Sequence, residues 1–184
     1  MLLDNLNQNL DDLIIAIAGN DKHALEELYI LVSTKVYAYA LSILKNRYDA
    51  EDVLQNCFIK IYQSAYSYQA NHKALNWIMT ITRNLCLEKL RSKRYEIDDL
   101  QEDWNTIVDD NDELSVVDKL LVQQCMSILN DEDRMIVVLH AVAGMKHREI
   151  ANHLDLPLST VLSKYNRAIK KLKNEFQREL YHEK

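Results

Sequence analysis

Glycine and proline are nearly missing from this chain. Its 184 residues include two glycines, Gly19 and Gly144, and one proline, Pro157. Average usage would give about 13 and about 9. Sandwiches, barrels and doubly wound α/β folds reverse direction at many glycine- or proline-bearing turns, so they are excluded on this count alone. Neither a glycine-rich dinucleotide loop nor a P-loop can be written with two such distant glycines. Hydrophobic residues make up 48%, enough to build cores and to exclude wholesale disorder. What remains is an all-α protein with few tight turns.

Hydrophobic periodicity divides the chain into helices. Positions 10, 13, 14 and 17 make a short amphipathic helix ending near Gly19. A second helix runs over about 23–45, with Leu25, Leu28, Val32, Val36, Tyr39, Ala40 and Ile43 as its buried stripe. A third spans about 49–66 and a fourth about 73–94, with Asn71 as the expected N-cap of the fourth. Four more are expected at about 114–129, from Asn130 to Ala143, at 146–153 and at 158–178. Gly144 is expected to supply a left-handed stop.

The net charge of −6 hides an uneven distribution. From Glu96 to Glu113 there are nine acids and no base, leaving 22 bases against 19 acids elsewhere. Two mildly basic blocks, 1–94 and 114–184, are therefore joined by an acidic linker at 95–113. A nucleic-acid partner stays open where net charge alone would have argued against it. No apolar run approaches the roughly 20 residues that span a bilayer, and the first residues lack the basic region of a signal peptide. Cys57, Cys86 and Cys125 are odd in number and lie far apart, as in a reduced, cytoplasmic chain.

Three constellations invite a chemical reading. Between 146 and 173, a short helix, a turn and a long helix have helix-turn-helix spacing. Ala151 permits close crossing, and Asp155 tolerates the left-handed backbone of such a turn. The second helix presents Ser159, Thr160, Ser163, Lys164 and Arg167, groups suited to base edges and phosphates in a major groove. A solvated basic helix in an ordinary bundle would show the same pattern. Between 66 and 94, Tyr66, Tyr68 and Trp77 alternate with Asn71, His72, Lys73, Arg83, Asn84 and Arg91. Aromatic faces beside amides and guanidinium groups suit unstacked single-stranded bases, although the aromatics could equally be core. The third is the acidic turn Asp49-Ala-Glu51-Asp52. It has no partner histidine at a useful spacing, and acids are common at helix starts. The six histidines show no metal-ligand pattern, so no metal, cofactor or catalytic residue is expected.

Three segments carry a resemblance. Asp49-Ala-Glu51-Asp52-Val-Leu-Gln55-Asn-Cys-Phe58 resembles the D-A-E-D-x-x-Q-x-x-F core of the extracytoplasmic-function sigma factors of bacterial RNA polymerase. Trp77-Ile-Met-Thr-Ile-Thr-Arg83-Asn84, followed by Leu90-Arg91, is similar to their W-L-x-x-I-A-R-N…L-R helix. The segment from Gly144 through Glu149-Ile150-Ala151, Leu156-Pro157, Thr160-Val161 and Ser163-Lys164 to Arg167-Ala168 resembles their helix-turn-helix. The motifs stand in family order at family spacing.

This resemblance implies two helical domains and no enzyme activity. Region two, in residues 1–94, would bind core RNA polymerase through Asp49, Glu51, Asp52 and Gln55. It would also open and read the minus-ten element with Tyr68, Asn71, His72, Trp77, Arg83, Asn84 and Arg91. Region four, in 114–184, would read the minus-thirty-five duplex with His147, Ser159, Thr160, Ser163, Lys164, Arg167 and Lys171. Further implied partners are promoter DNA, duplex and melted, and an anti-sigma factor that is often membrane-anchored. The acidic linker would either occupy a basic nucleic-acid channel of the polymerase or merely stay extended and soluble. Leu162, Asp155 and Ser159 depart from the family pattern, which puts the promoter sequence in doubt. No large further C-terminal sensing domain is expected. A stand-alone helix-turn-helix regulator would leave Asp49–Gln55 and the Trp77 helix unexplained, and a nucleic-acid enzyme would need a metal cluster or nucleophile.

Overall fold

The computed structural model describes residues 2–93 and 128–182, all of whose regular elements are helical. The chain divides into two units, Met1–Gln101 and Glu102–Lys184. The acidic linker, Cys125 and most of the helix expected at 114–129 lie outside the described residues.

The first unit contains α1 (Leu2–Ala18), α2 (Lys22–Leu44), α3 (Arg47–Ser64), a 3₁₀ turn (Ala65–Ser67) and α4 (Ala74–Lys93). Helix α2 packs against all three of the others. Its burial is therefore not the single stripe expected from periodicity. Val36 to Ser42 are buried without a break, while Leu25 and Ile43 at the expected stripe are only partly covered. A helix surrounded on several sides is apolar all round. For the same reason α2 is long and apolar enough to cross a membrane by length and composition, yet 61% of that window is buried inside the protein. Cys57 and Cys86 belong to this core. Burial pushes their thiols up to about 11 and about 12, which makes them inert packing groups.

Scarce glycine leaves the turns to other residues. Asn20, Lys45, His72 and Asp155 all adopt positive φ, alongside Gly144 at 81°. Asp21 caps α2 by accepting from His23 and Ala24, and Asn46 caps α3 by accepting from Asp49. Asn71 is not the cap of α4. The Lys73 carbonyl accepts the first helical bond, from Trp77, and the Asn7 side chain of α1 accepts the Leu75 N–H.

The second unit contains α5 (Asp131–Ala141), α6 (His147–Leu154) and α7 (Leu158–His182). Asn130 caps α5 through its bond from Asp133 N–H. Leu129, Val137, Ala168 and Leu172 share a core with Ile128, Tyr165 and Ile169. Between α6 and α7, Asp155 sits at φ 57°, ψ 46°, and the Leu156 N–H returns to the Ala151 carbonyl at 2.9 Å. Ala151 is buried at 4% exposure, as a close helix crossing requires.

Candidate functional site

The loop between the 3₁₀ turn and α4 folds over the start of α4. Tyr68 comes to lie on Trp77, ring centroids 4.7 Å apart at 49°. Around this pair is an open cavity of about 380 Å³, lined by Tyr68, Asn71, Lys73, Asn76, Trp77 and Thr80 among others. The Tyr68 hydroxyl donates to the Asp11 carboxylate. Burial, reinforced by that carboxylate, holds the phenol well above its usual pKa. Tyr68 therefore offers the cavity a ring rather than a free hydroxyl.

Of the other residues expected to meet the minus-ten strand, none lines the cavity itself. His72 does not line the cavity; its N–H donates to Asp11 at 2.8 Å and its Nδ1 lies 3.4 Å from the same carboxylate. Arg83 is six residues beyond Trp77, about 120° around the helix. It is half-buried, and its charge acts on the buried Tyr39. Asn84 and Arg91, at seven and fourteen residues from Trp77, share the Trp77 side of α4 and are exposed. Asn76 and Thr80 were missed; their spacing of −1 and +3 from Trp77 was the available signal.

On α3 the acidic turn is partly internal. Asp49 is 8% exposed. Lys89 of α4 reaches across to Asp52 at 2.6 Å and Asp49 at 3.4 Å. Burial works against the Lys89 charge, but the Asp52 hydrogen bond and both carboxylates outweigh it and raise its pKa. Glu51 pairs with Arg47 at 3.0 Å. The outward face carries Tyr48, Asp52, Gln55 and Ile59, at helical spacing. Tyr48 is 77% exposed and Ile59 is 52% exposed. Neither is among the residues expected at this surface; Tyr48 falls one residue before the expected start of the helix, and Ile59 falls off its apolar stripe.

On α7, Ser159, Ser163, Arg167 and Lys171 are exposed at four-residue steps, with Thr160 half-buried beside them. Leu162 is exposed on the adjoining strip. Lys164 is not on the exposed side. Its ammonium lies 2.6 Å from Glu132 and 3.6 Å from Asp133 at the start of α5, and its side chain is 19% exposed. His147 is likewise built into the joint of the unit. Its ring lies 4.1 Å from His140 and 4.7 Å from Tyr165, and its Nε2 is buried without a partner among the described residues. Burial, then the neighbouring His140, lowers its pKa.

The two units have separate counterparts among known families. Residues 28–95 match sigma-70 region 2, and residues 119–172 match sigma-70 region 4. The chain is 23% identical over 180 residues to the ECF RNA polymerase sigma factor SigK of Mycobacterium tuberculosis, covering 92% of this chain and 94% of that one. The chain belongs to the extracytoplasmic-function sigma factors. As a sigma factor of RNA polymerase it directs transcription initiation.

Two solved structures have the same fold as this sigma factor. One is CnrH in complex with the cytosolic domain of CnrY, with a TM-score of 0.64 and 20% identity, covering 92% of this chain and 98% of that one. The other is the sigma factor RpoE with the anti-sigma factor NepR from Bartonella quintana, with a TM-score of 0.60 and 20% identity, covering 83% and 96%. The region 2 match contains the Tyr68–Trp77 cavity and the α3 face, and the region 4 match contains the exposed start of α7. Helix α1 precedes the region 2 match.

Proposed function

We propose that this sigma factor gives core RNA polymerase its promoter specificity through three surfaces, with no chemical step of its own. Residues 1–94 act as region two, 95–113 as the linker and 114–184 as region four. On α3, Asp52 and Gln55, flanked by Tyr48 and Ile59, dock on polymerase. Asp49 and Glu51 support that face from within their ion pairs. On α7, Ser159, Thr160 and Ser163 read base edges of the minus-thirty-five duplex, while Arg167 and Lys171 hold phosphates. Lys164 and His147 brace the helix-turn-helix instead of touching DNA, and Arg83 serves the core of region two.

The observation that carries the reading is the cavity walled by Tyr68 and Trp77. Its aromatic faces and the Asn71 amide suit one base unstacked from the minus-ten strand. Asn84 and Arg91 continue the same face of α4 along the strand. Stacking worth roughly 1–3 kcal/mol per base offsets the few kcal/mol of unpairing. The protein works where polymerase works, in the cytoplasm. An anti-sigma factor is a further partner, by analogy with the RpoE complex.

The test uses holoenzyme reconstituted with core polymerase. The strongest promoter that it transcribes from sheared genomic DNA is rebuilt with 2-aminopurine in the minus-ten strand. Trp77→Ala should leave polymerase binding and minus-thirty-five protection near normal and abolish most of the opening signal. Normal opening by this variant would refute the assignment of the cavity.

A further inference from the structure

Helix α1 carries two buried polar residues, Asn7 at 7% exposure and Asp11 at 1%. They are four residues apart and so share one face of the helix. Both bond to the far side of the unit. Asn7 Oδ1 accepts the Leu75 N–H at 3.1 Å, satisfying an orphan donor in the first turn of α4. Asp11 holds both ends of the cavity loop. One carboxylate oxygen accepts the Tyr68 hydroxyl, and the other accepts the His72 N–H at 2.8 Å. Only Gln69, Ala70 and Asn71 lie between those anchors. His72 holds φ at 57°, a left-handed conformation that is unfavourable for an L residue. Its bond to Asp11 opposes that cost.

Joining α1 to α4 needs no such groups. Apolar side chains could join the two helices, although they would leave the His72 and Leu75 N–H groups without these acceptors. What the polar pair adds is direction. Its bonds fix the Tyr68 ring that walls the cavity, the backbone on either side of Asn71, and the turn of α4 that leads into Trp77. We infer that Asp11 and Asn7 are positioning residues for capture of the minus-ten base, presetting the Tyr68–Lys73 loop before DNA arrives. Preorganisation of this kind raises affinity by lowering the ordering cost of binding. The inference rests on the cavity's proposed role in strand capture, and it extends the promoter-reading apparatus to a helix outside the region 2 match.

The test uses the full chain in holoenzyme. The probe is a forked DNA made from the same genomic promoter, with the minus-ten strand single-stranded and labelled with 2-aminopurine. Asp11→Leu and Asn7→Leu should each weaken capture of that strand by roughly tenfold. Affinity for core polymerase and for the minus-thirty-five duplex should stay unchanged. Asn7→Asp keeps an acceptor at the helix start and should restore capture. Trp77→Ala is read in parallel. If Trp77→Ala loses capture while Asp11→Leu and Asn7→Leu retain it, the positioning role is overturned and the cavity reading stands. If all three retain it, the cavity reading falls first and this inference with it. Loss of polymerase binding in step with strand capture, or failure of Asn7→Asp to restore it, reduces the pair to structural stitching and also overturns the inference. Should Asp11→Leu lose its helical circular dichroism, the Asn7→Leu and Asn7→Asp pair decides alone.

Discussion

Replacing Lys164 by Met separates a brace from a phosphate contact. The substitution keeps most of the aliphatic stem and removes the charge. In the structure that charge meets Glu132 at 2.6 Å and Asp133 at 3.6 Å. Glu132 is 40% exposed, so water replaces much of what it loses, and its share is about 0–1 kcal/mol. Asp133 is different. Its side chain is 8% exposed, and its Oδ1 is buried with no hydrogen-bond partner among the described residues. Removing the neighbouring ammonium leaves a buried carboxylate oxygen uncompensated. The combined cost is about 1–2 kcal/mol, which lowers the melting temperature of a unit this size by about 5–15 °C. Differential scanning calorimetry of the full chain reads that shift in the transition of the second unit. Binding to minus-thirty-five duplex at graded salt reads the alternative. Arg167→Met should reduce the salt slope by about 0.9, the value of one lost phosphate neutralisation, with little change in melting. Lys164→Met should do the reverse. A lowered salt slope with unchanged melting in Lys164→Met would refute the bracing argument and return Lys164 to the DNA interface.

Other expectations follow from the same geometry. Lys89→Met should destabilise the first unit by about 1 kcal/mol, because it removes the ammonium that faces both the largely buried Asp49 and Asp52; Gln55→Ala, on the exposed face of α3, should leave melting unchanged and weaken co-purification with core polymerase. Asn46→Ala should cost about 1 kcal/mol through loss of the α3 cap, read as a lower denaturation midpoint. For His147, the folded pKa lies below the unfolded value near 6.5, so the unfolded state takes up the proton first. Its contribution is complete above about pH 6.5 and declines as the pH falls from there towards the folded pKa. Melting of the second unit should therefore fall between pH 7 and pH 5, and His147→Gln should flatten that dependence; an unaltered pH profile in the variant would contradict the assignment.

The local features of this protein were legible in its sequence. Two glycines and one proline already confined it to helices. Apolar spacing located α2, α5, α6 and α7 near their observed positions. Asn130 as a cap and Asp155 as a left-handed turn residue follow from side chains bonding or yielding within their own turn. The segments around Asp49–Phe58, Trp77–Arg91 and Gly144–Ala168 carried the family. None of this depends on what lies across the core. The side chains that differ from expectation depend on that alone. Lys164 is turned inward by acids some thirty residues earlier, Asp49 is claimed by Lys89 from another helix, and His147 is enclosed by His140 and Tyr165. The loop around Tyr68 is held by Asp11 and Asn7, more than fifty residues upstream. A helical repeat gives the direction in which a side chain leaves its own axis. Whether it then meets water or a buried opposite charge is decided by how the helices pack, and so only the tertiary structure could distinguish the residues that brace this sigma factor from those left free to bind.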